Sequence, residues 1–270
     1  MDCSSIRNLL KALAVATVAL ATGLAGDAEP LPSWNEGVAK QAIIDFVTKT
    51  TTPGSPDFVA ISERIAVFDN DGTLWPENPM PFQLAFVIDE LKRRIPDEPE
   101  LADAPMVKAA LAGDMEKLLA GKHHDGLLRI LALTHAGMTT GEFAAAVDRW
   151  LASARHPRFA RPYERLIYQP ILEVLAYLRT NGFKTFIVAG GGADFMRVFA
   201  ERVYGIPPEQ VVGSMAWTTF ELRDSGPVLV KTMDHLFVDD KAGKPTGIHQ
   251  FIGRRPIACL GNCDGDLVML

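Results

Sequence analysis

Asp69 and Asp71 stand one residue apart in IAVFDNDGTLW, residues 65 to 75, where four apolar residues give way to acid. Carboxylates that close repel, and burial makes each ionised form costlier still. The pair therefore needs a cation, a shared proton or open solvent. A second acidic group, Asp264 and Asp266 in GNCDGDLVML, follows another apolar run near the far end of the chain. A carboxylate can attack phosphorus to form an acyl-phosphate that water later hydrolyses, so one hard step becomes two easier ones. An anionic nucleophile approaching an anionic phosphoryl group needs a metal, and magnesium favours a few carboxylate oxygens together with phosphate oxygens and water. DNDGT alone also suits a turn, because Asp, Asn and Gly all favour turns. An acidic motif after a second buried strand is the context that favours chemistry.

The elements that must position these groups can be read from hydrophobic spacing. Residues 33 to 51 have helical spacing, TPGSPD at 52 to 57 is a turn-rich break, and IAVF at 65 to 68 suits a parallel strand buried on both faces. FQLAFVIDELKRR, MVKAALAGDMEKLLAG and FAAAVDRWLASAR are helix-like, with Thr139 and Glu142 spaced as a capping box and no good strand among them. A helix, YQPILEVLAYLRTNG, closes on Gly182. A strand KTFIVA, a GGG turn and a helix ADFMRVFAERVYG come next, then a short strand QVVGS. A hairpin follows with DSG at its turn, then a short helix KPTGIHQFIG and a buried strand RPIACL. Strands alternating with helices predict an α/β fold with a parallel sheet, which places ligands at the carboxyl ends of its strands. Asp69, Gly190 to Gly192, and Asn262 to Asp266 all lie at such ends.

The N-terminus differs from the rest. Arg7 and Lys11 precede an uncharged run of small and apolar residues, 12 to 25. As a helix that run rises about 21 Å, short of a hydrocarbon core of roughly 30 Å. With small residues offering cleavage after Ala25 or Ala28, residues 1–28 read as a signal peptide, so a secreted or periplasmic protein without a stable membrane span after cleavage is expected. The 270 residues, 48% hydrophobic and 22% charged, allow one sizeable domain or one domain with an insertion. A net charge of −6 gives no electrostatic reason to expect nucleic acid or anionic membrane as partner. Cleavage would remove Cys3, and Cys259 and Cys263 are expected to be free, buried thiols.

Asp69-Asn70-Asp71-Gly72-Thr73 ending a first apolar strand resembles the first motif of the haloacid dehalogenase superfamily of phosphohydrolases. GNCDGDLVML is similar to that superfamily's acidic metal motif, and GKPTGIHQFIG to the helix carrying its lysine. The resemblance runs from about residue 60 to the end and implies a Rossmann-like core over 29–78 and 166–270, with 79–165 inserted as a helical cap. It implies that Asp69 is nucleophile and metal ligand. Asp71 would protonate the leaving alkoxide, then deprotonate the attacking water, its main-chain carbonyl serving as second metal ligand. Asn262 and Asp266 would complete a Mg2+ site, and Lys244, with Lys241 as alternative, would neutralise phosphate and nucleophile.

A carboxylate at Asp71 separates phosphatases from the metal-free dehalogenases of the superfamily. The resemblance implies phosphate contacts from Thr73 and the main-chain N–H groups of Gly190 and Gly191, glycines that otherwise serve only a tight turn. It places Glu77, beside Trp75, where the family has a loop facing the substrate, an exposed loop residue being the alternative. His123, His124 and His135 lack metal-ligand spacing and read as surface or packing residues. Two positions depart from the family pattern. Ala189 replaces the Ser or Thr whose hydroxyl binds the phosphoryl group, and Asn262 replaces an aspartate. The expectation is a magnesium-dependent phosphomonoesterase of the phosphoserine phosphatase-like branch, acting on a small phosphate ester, phosphoserine-like esters included. A phosphotransferase of the same fold and an impaired phosphate- or metal-binding relic are the alternatives. The family fold also continues beyond the position of Leu270, so a fragment or truncated reading frame is expected, with RPIACL as an apolar edge. The oligomeric state is not legible.

Overall fold

The computed structural model describes residues 29–119 and 125–270; the expected signal peptide, His123 and His124 lie outside the described residues. Strand β1 (Ile65–Phe68) is IAVF, fully buried along its length. It pairs in parallel with β2 (Lys184–Gly192) on one side and β6 (Ala258–Leu260) on the other. β2 pairs in turn with β3 (Val211–Ser214), giving a four-stranded parallel sheet ordered β3-β2-β1-β6. Although IAVF is apolar without a break, its side chains still alternate between faces. Ala66 and Phe68 enter the main core, while Ile65 and Val67 pack with Phe186, Val188, Val212, Ile248 and Met269. Each Ile, Val or Phe so buried contributes about 1.5–3 kcal/mol. That holds the strand's carboxyl end, and hence Asp69, in place.

Helix α1 (Val38–Thr51) precedes β1. The stretch between β1 and β2 carries α2 (Phe82–Arg94), α3 (Pro105–Ala112), α4 (Met115–Leu119), α5 (Asp125–His135), α6 (Thr140–Ser153) and α7 (Gln169–Thr180). α6 starts on a full capping box, the Thr139 hydroxyl accepting from Glu142 N at 3.1 Å and Glu142 accepting from Thr139 N at 2.7 Å. Aromatic side chains join these helices to the sheet's own helices. Phe86 and Trp150 meet Phe195 with ring centroids 5.6 and 6.2 Å apart, and Trp150 stacks on Tyr163 at 4.6 Å. A separate antiparallel hairpin, β4 (Thr218–Arg223) and β5 (Gly226–Lys231), returns the chain toward the cavity, with Lys231 N donating to Met138 O. Among the described residues no helix is long and apolar enough to cross a membrane.

The structure differs from the sequence reading at four places. The GGG segment is not a turn, because β2 runs on through Gly192. Its register with β3 jumps from Ala189↔Gly213 to Gly192↔Ser214, so Gly190 and Gly191 form a bulge. The bulge needs close backbone approach, since a Cβ on Gly213 would lie 2.6 Å from Gly191 O. The helix after it divides into α8 (Ala193–Arg197) and α9 (Ala200–Tyr204). The helix beginning α10 (Gly243–Gly247) widens into a π-type turn to Ile252 before Gly253 closes it at φ 73°. The two cysteines are free, but Cys259 is half-buried and Cys263 exposed, because the loop after β6 faces solvent.

Candidate active site

β1 ends where its ladder does, with Asp69 N donating to Leu260 O at 2.9 Å, so the Asp69 side chain emerges at the carboxyl edge of the sheet. Lys244 enters from α10, whose tight approach is set by Gly243 N donating to Asp240 O and Lys244 N to Lys241 O. Its ammonium group donates to Asp69 Oδ1 at 2.7 Å and to Val188 O at 2.8 Å. It also lies 2.7 Å from Asp266 Oδ1, a close ion pair without the angles of a hydrogen bond. Lys244 is 2% exposed and Asp266 fully buried, whereas Lys241 is exposed. The structure thus brings together Asp69, Lys244 and Asp266, whose numbers span most of the chain.

These charges settle unequally. Burial lowers the Lys244 pKa, but Asp69 and Asp266 outweigh it and hold the pKa above the ordinary lysine range. Burial raises Asp69 more than Lys244 lowers it, with Asp266 adding repulsion. Burial acts on Asp266 as well, yet Lys244 and the N–H groups of Cys263 and Asn262, at 3.1 and 2.9 Å from its Oδ2, hold it below the usual carboxylate range. Asp71 lies outside this ion cluster and lines the same cavity. Its Oδ1 accepts from the Trp75 indole N–H at 2.6 Å, and the Asn70 amide approaches at 3.4 Å. Burial pushes Asp71 up to about 7, Trp75 opposing and Asp69 and Glu77 reinforcing. A carboxyl group with that pKa can exchange a proton near neutrality.

Asn262 sits apart from the ion cluster in its contacts. Its amide oxygen accepts from Thr73 Oγ1 at 2.9 Å and its amide nitrogen donates to Glu77 Oε1 at 3.1 Å. Gly72 makes room for it, adopting φ 81° where a Cβ would lie 2.1 Å from Asn262 Nδ2. Gly190 and Gly191 line the cavity, and Gly192 N donates to Gln83 Oε1 at 2.7 Å. Asp264 is exposed, unlike Asp266.

Several groups at this site carry no signal in the sequence. Gln83 on α2 and Asp240 before α10 line the cavity without any motif to mark them, and the roles of Asn70 and Trp75 beside Asp71 come from tertiary packing. Asp239 is fully buried with neither carboxylate oxygen hydrogen-bonded among the described residues, and burial pushes it up to about 7. His135, expected as a surface or packing residue, is buried against Phe86 and Phe143 and also lines the cavity.

The carboxylates of Asp69 and Asp266 are oxygens of the kind a hard cation takes. Asp266 Oδ1 in particular is buried without a hydrogen-bond donor in good geometry. Among the described residues no three His, Cys, Asp or Glu side chains form a metal cage. A cation at this site would therefore draw on amide and main-chain oxygens, water and substrate, as magnesium commonly does.

The family model for haloacid dehalogenase-like hydrolases matches residues 66–242. No curated protein matches the sequence. Solved structures with similar folds include a conserved protein of unknown function from Anaerococcus prevotii, 16% identical over 86% of this chain and 81% of that one, with a TM-score of 0.49. A phosphoserine phosphohydrolase-like protein from Francisella tularensis is 18% identical over 76% of this chain and 81% of that one, TM-score 0.41. A phospho-aspartyl intermediate analogue of phosphoserine phosphatase is 17% identical over 77% and 81%, TM-score 0.34.

Proposed function

We propose, for a chain that belongs to the family of haloacid dehalogenase-like hydrolases, that it is a magnesium-dependent phosphomonoesterase working through an aspartyl-phosphate on Asp69. The observation that carries this reading is the Lys244 ammonium held between Asp69 and Asp266 at the carboxyl edge of the sheet. Asp69 is an oriented nucleophile whose negative charge is partly balanced, and Lys244 stands where phosphoryl charge would gather.

In the first step an Asp69 oxygen bonds to phosphorus and the ester P–O bond breaks, the departing alkoxide taking a proton from Asp71. In the second, water attacks phosphorus while giving a proton to Asp71, and the Asp69–phosphorus bond breaks to release inorganic phosphate. Trp75 and Asn70 orient Asp71 for both transfers. The Gly190–Gly191 bulge offers main-chain N–H groups to the phosphoryl oxygens, a contact that tolerates Ala189. Magnesium, held by Asp69, Asp266, Asn262 and the Asp71 carbonyl, would supply the charge that lets two anions approach.

The test is hydrolysis of an aryl phosphate by the purified protein. Turnover that requires magnesium, is abolished by chelator and drops at least about 10³-fold in Asp69→Asn is the expected result. Asp69-independent turnover, or none from folded protein with magnesium, overturns the reading. Adding a free alcohol and assaying its phosphorylation separates hydrolase from phosphotransferase. N-terminal sequencing of the exported protein tests the proposed signal peptide.

A further inference from the structure

The cavity over Asp69 encloses about 380 Å³, and most of its wall is unrelated to phosphoryl chemistry. Leu84 and Val87 on α2, Phe143 on α6, Phe195 on α8, and Met215 and Leu236 line it. The charged lining is mostly acidic, with six Asp or Glu residues against two lysines and no arginine. Both lysines already have partners. Lys244 is held by Asp69 and Asp266, and Lys231 contacts Asp194 and lies 4.7 Å from the Phe143 ring centroid. The α-carboxylate of an amino-acid phosphate would enter a cavity whose two lysines already contact carboxylates and whose remaining charged lining is acidic, at a large desolvation cost. An apolar body would instead replace water against aliphatic and aromatic walls.

A second observation concerns the apolar part of the cavity. His135 lines it and is 6% exposed, and its Nε2 has no hydrogen-bond partner among the described residues. Burial, and then the Lys231 charge, hold its pKa down to about 3, so the ring is neutral. An unpartnered buried nitrogen costs free energy unless something binds to it. Lys231 has three N–H donors, and Asp194 takes one. Both side chains lie against the Phe143 ring, His135 with ring centroids 4.6 Å apart and the Lys231 ammonium 4.7 Å from the centroid, so each sets a polar group beside an apolar wall.

We infer that the substrate is a phosphate monoester of an apolar, aromatic-sized alcohol without a carboxylate, bearing one uncharged hydroxyl-type oxygen that meets Lys231 and His135. The inference rests on the phosphomonoesterase reading for the phosphate end, while the cavity lining carries the rest.

Three alkyl esters with comparable leaving groups form the test: benzyl phosphate, 4-(hydroxymethyl)benzyl phosphate and O-phosphoserine, each with magnesium. The expected kcat/KM for benzyl phosphate exceeds that for phosphoserine by about 10-fold or more, as apolar pockets discriminate on that scale. The hydroxymethyl group should add a further gain, and both Lys231→Met and His135→Phe should abolish it. Asp194 keeps Arg197 as a partner at 3.3 Å in the first variant, and the second replaces one planar ring with another. If one variant fails to fold, the other decides the hydroxyl question, and the wild-type comparison needs neither.

Equal or better turnover of phosphoserine overturns the inference, as does a hydroxyl gain that survives both substitutions. Calorimetric binding of 2-phenylethylphosphonate against 2-amino-4-phosphonobutyrate reads the cavity without turnover. If no ester is hydrolysed but the phenyl phosphonate binds at least about 10-fold tighter, the phosphatase reading fails and the apolar-body assignment stands. If the amino-acid phosphonate binds as well or better, the apolar-body assignment fails.

Discussion

Lys244 and Lys231 are both buried and both line one cavity, yet their surroundings differ in kind. Lys244 has two carboxylates and a carbonyl around it; Lys231 has one carboxylate and an aromatic ring. Asp194, the partner of Lys231, also contacts Arg197, so that pair is connected to a more exposed network. Asp69 and Asp266 share Lys244 as their basic partner among the described residues. A charge enclosed on all sides serves chemistry, because its strength depends on the exclusion of water. A charge set against an apolar wall serves recognition.

Removing each lysine tests that contrast. Lys244→Met leaves two buried carboxylates facing each other and should cost about 3–5 kcal/mol of folding stability, in addition to activity. Lys231→Met should cost less, about 1–3 kcal/mol, because Asp194 retains Arg197. Urea unfolding of the two variants measures the difference, and equal losses would break the comparison.

Trp75→Phe sharpens the reading at the catalytic end, since it removes the N–H that orients Asp71. The expected loss is about 10-fold in kcat on alkyl phosphates, the value of one charged hydrogen bond. The loss should be smaller on aryl phosphates, whose leaving groups need less protonation. A uniform loss across leaving groups would assign Trp75 to packing alone.

The apolar end is read through its pH dependence. His135 has its pKa lowered from 6.5 to about 3 in the folded protein, chiefly by burial. Above 6.5 it is neutral folded or unfolded and contributes no pH dependence. As pH falls below 6.5 the unfolded chain takes up a proton that the folded one refuses, so stability declines, by at most about 1.4 kcal/mol per pH unit until pH 3. His135→Phe should flatten that part of the stability profile between pH 6 and 4, measured by urea titration at each pH.

The readings that came directly from the sequence share a physical basis: each rests on short-range pattern. IAVF reads as a strand because a short unbroken run of β-branched and aromatic residues suits a parallel strand buried on both faces, and Thr139–Glu142 reads as a cap because both bonds lie within four residues. Other features depend on neighbours far along the chain. The GGG bulge exists because β3 brings Gly213 against Gly191, and Trp75 bonds Asp71 because Phe82, Phe199 and Tyr204 pack around its ring. Lys231 occupies an ordinary hairpin position in the sequence, with no motif around it.

The sequence alone determined the α/β order of elements, the acidic strand ends and the family to which the chain belongs. Those depend on residue type and local spacing, which the chain carries wherever it folds. Tertiary structure decided which lysine lies between Asp69 and Asp266, what holds Asp71, and why the cavity is apolar where Lys231 and His135 meet. Side chains far apart in the sequence converge in that cavity, Asp69 and Lys244 by 175 residues, and their burial, more than their identity, sets their charge and their partners.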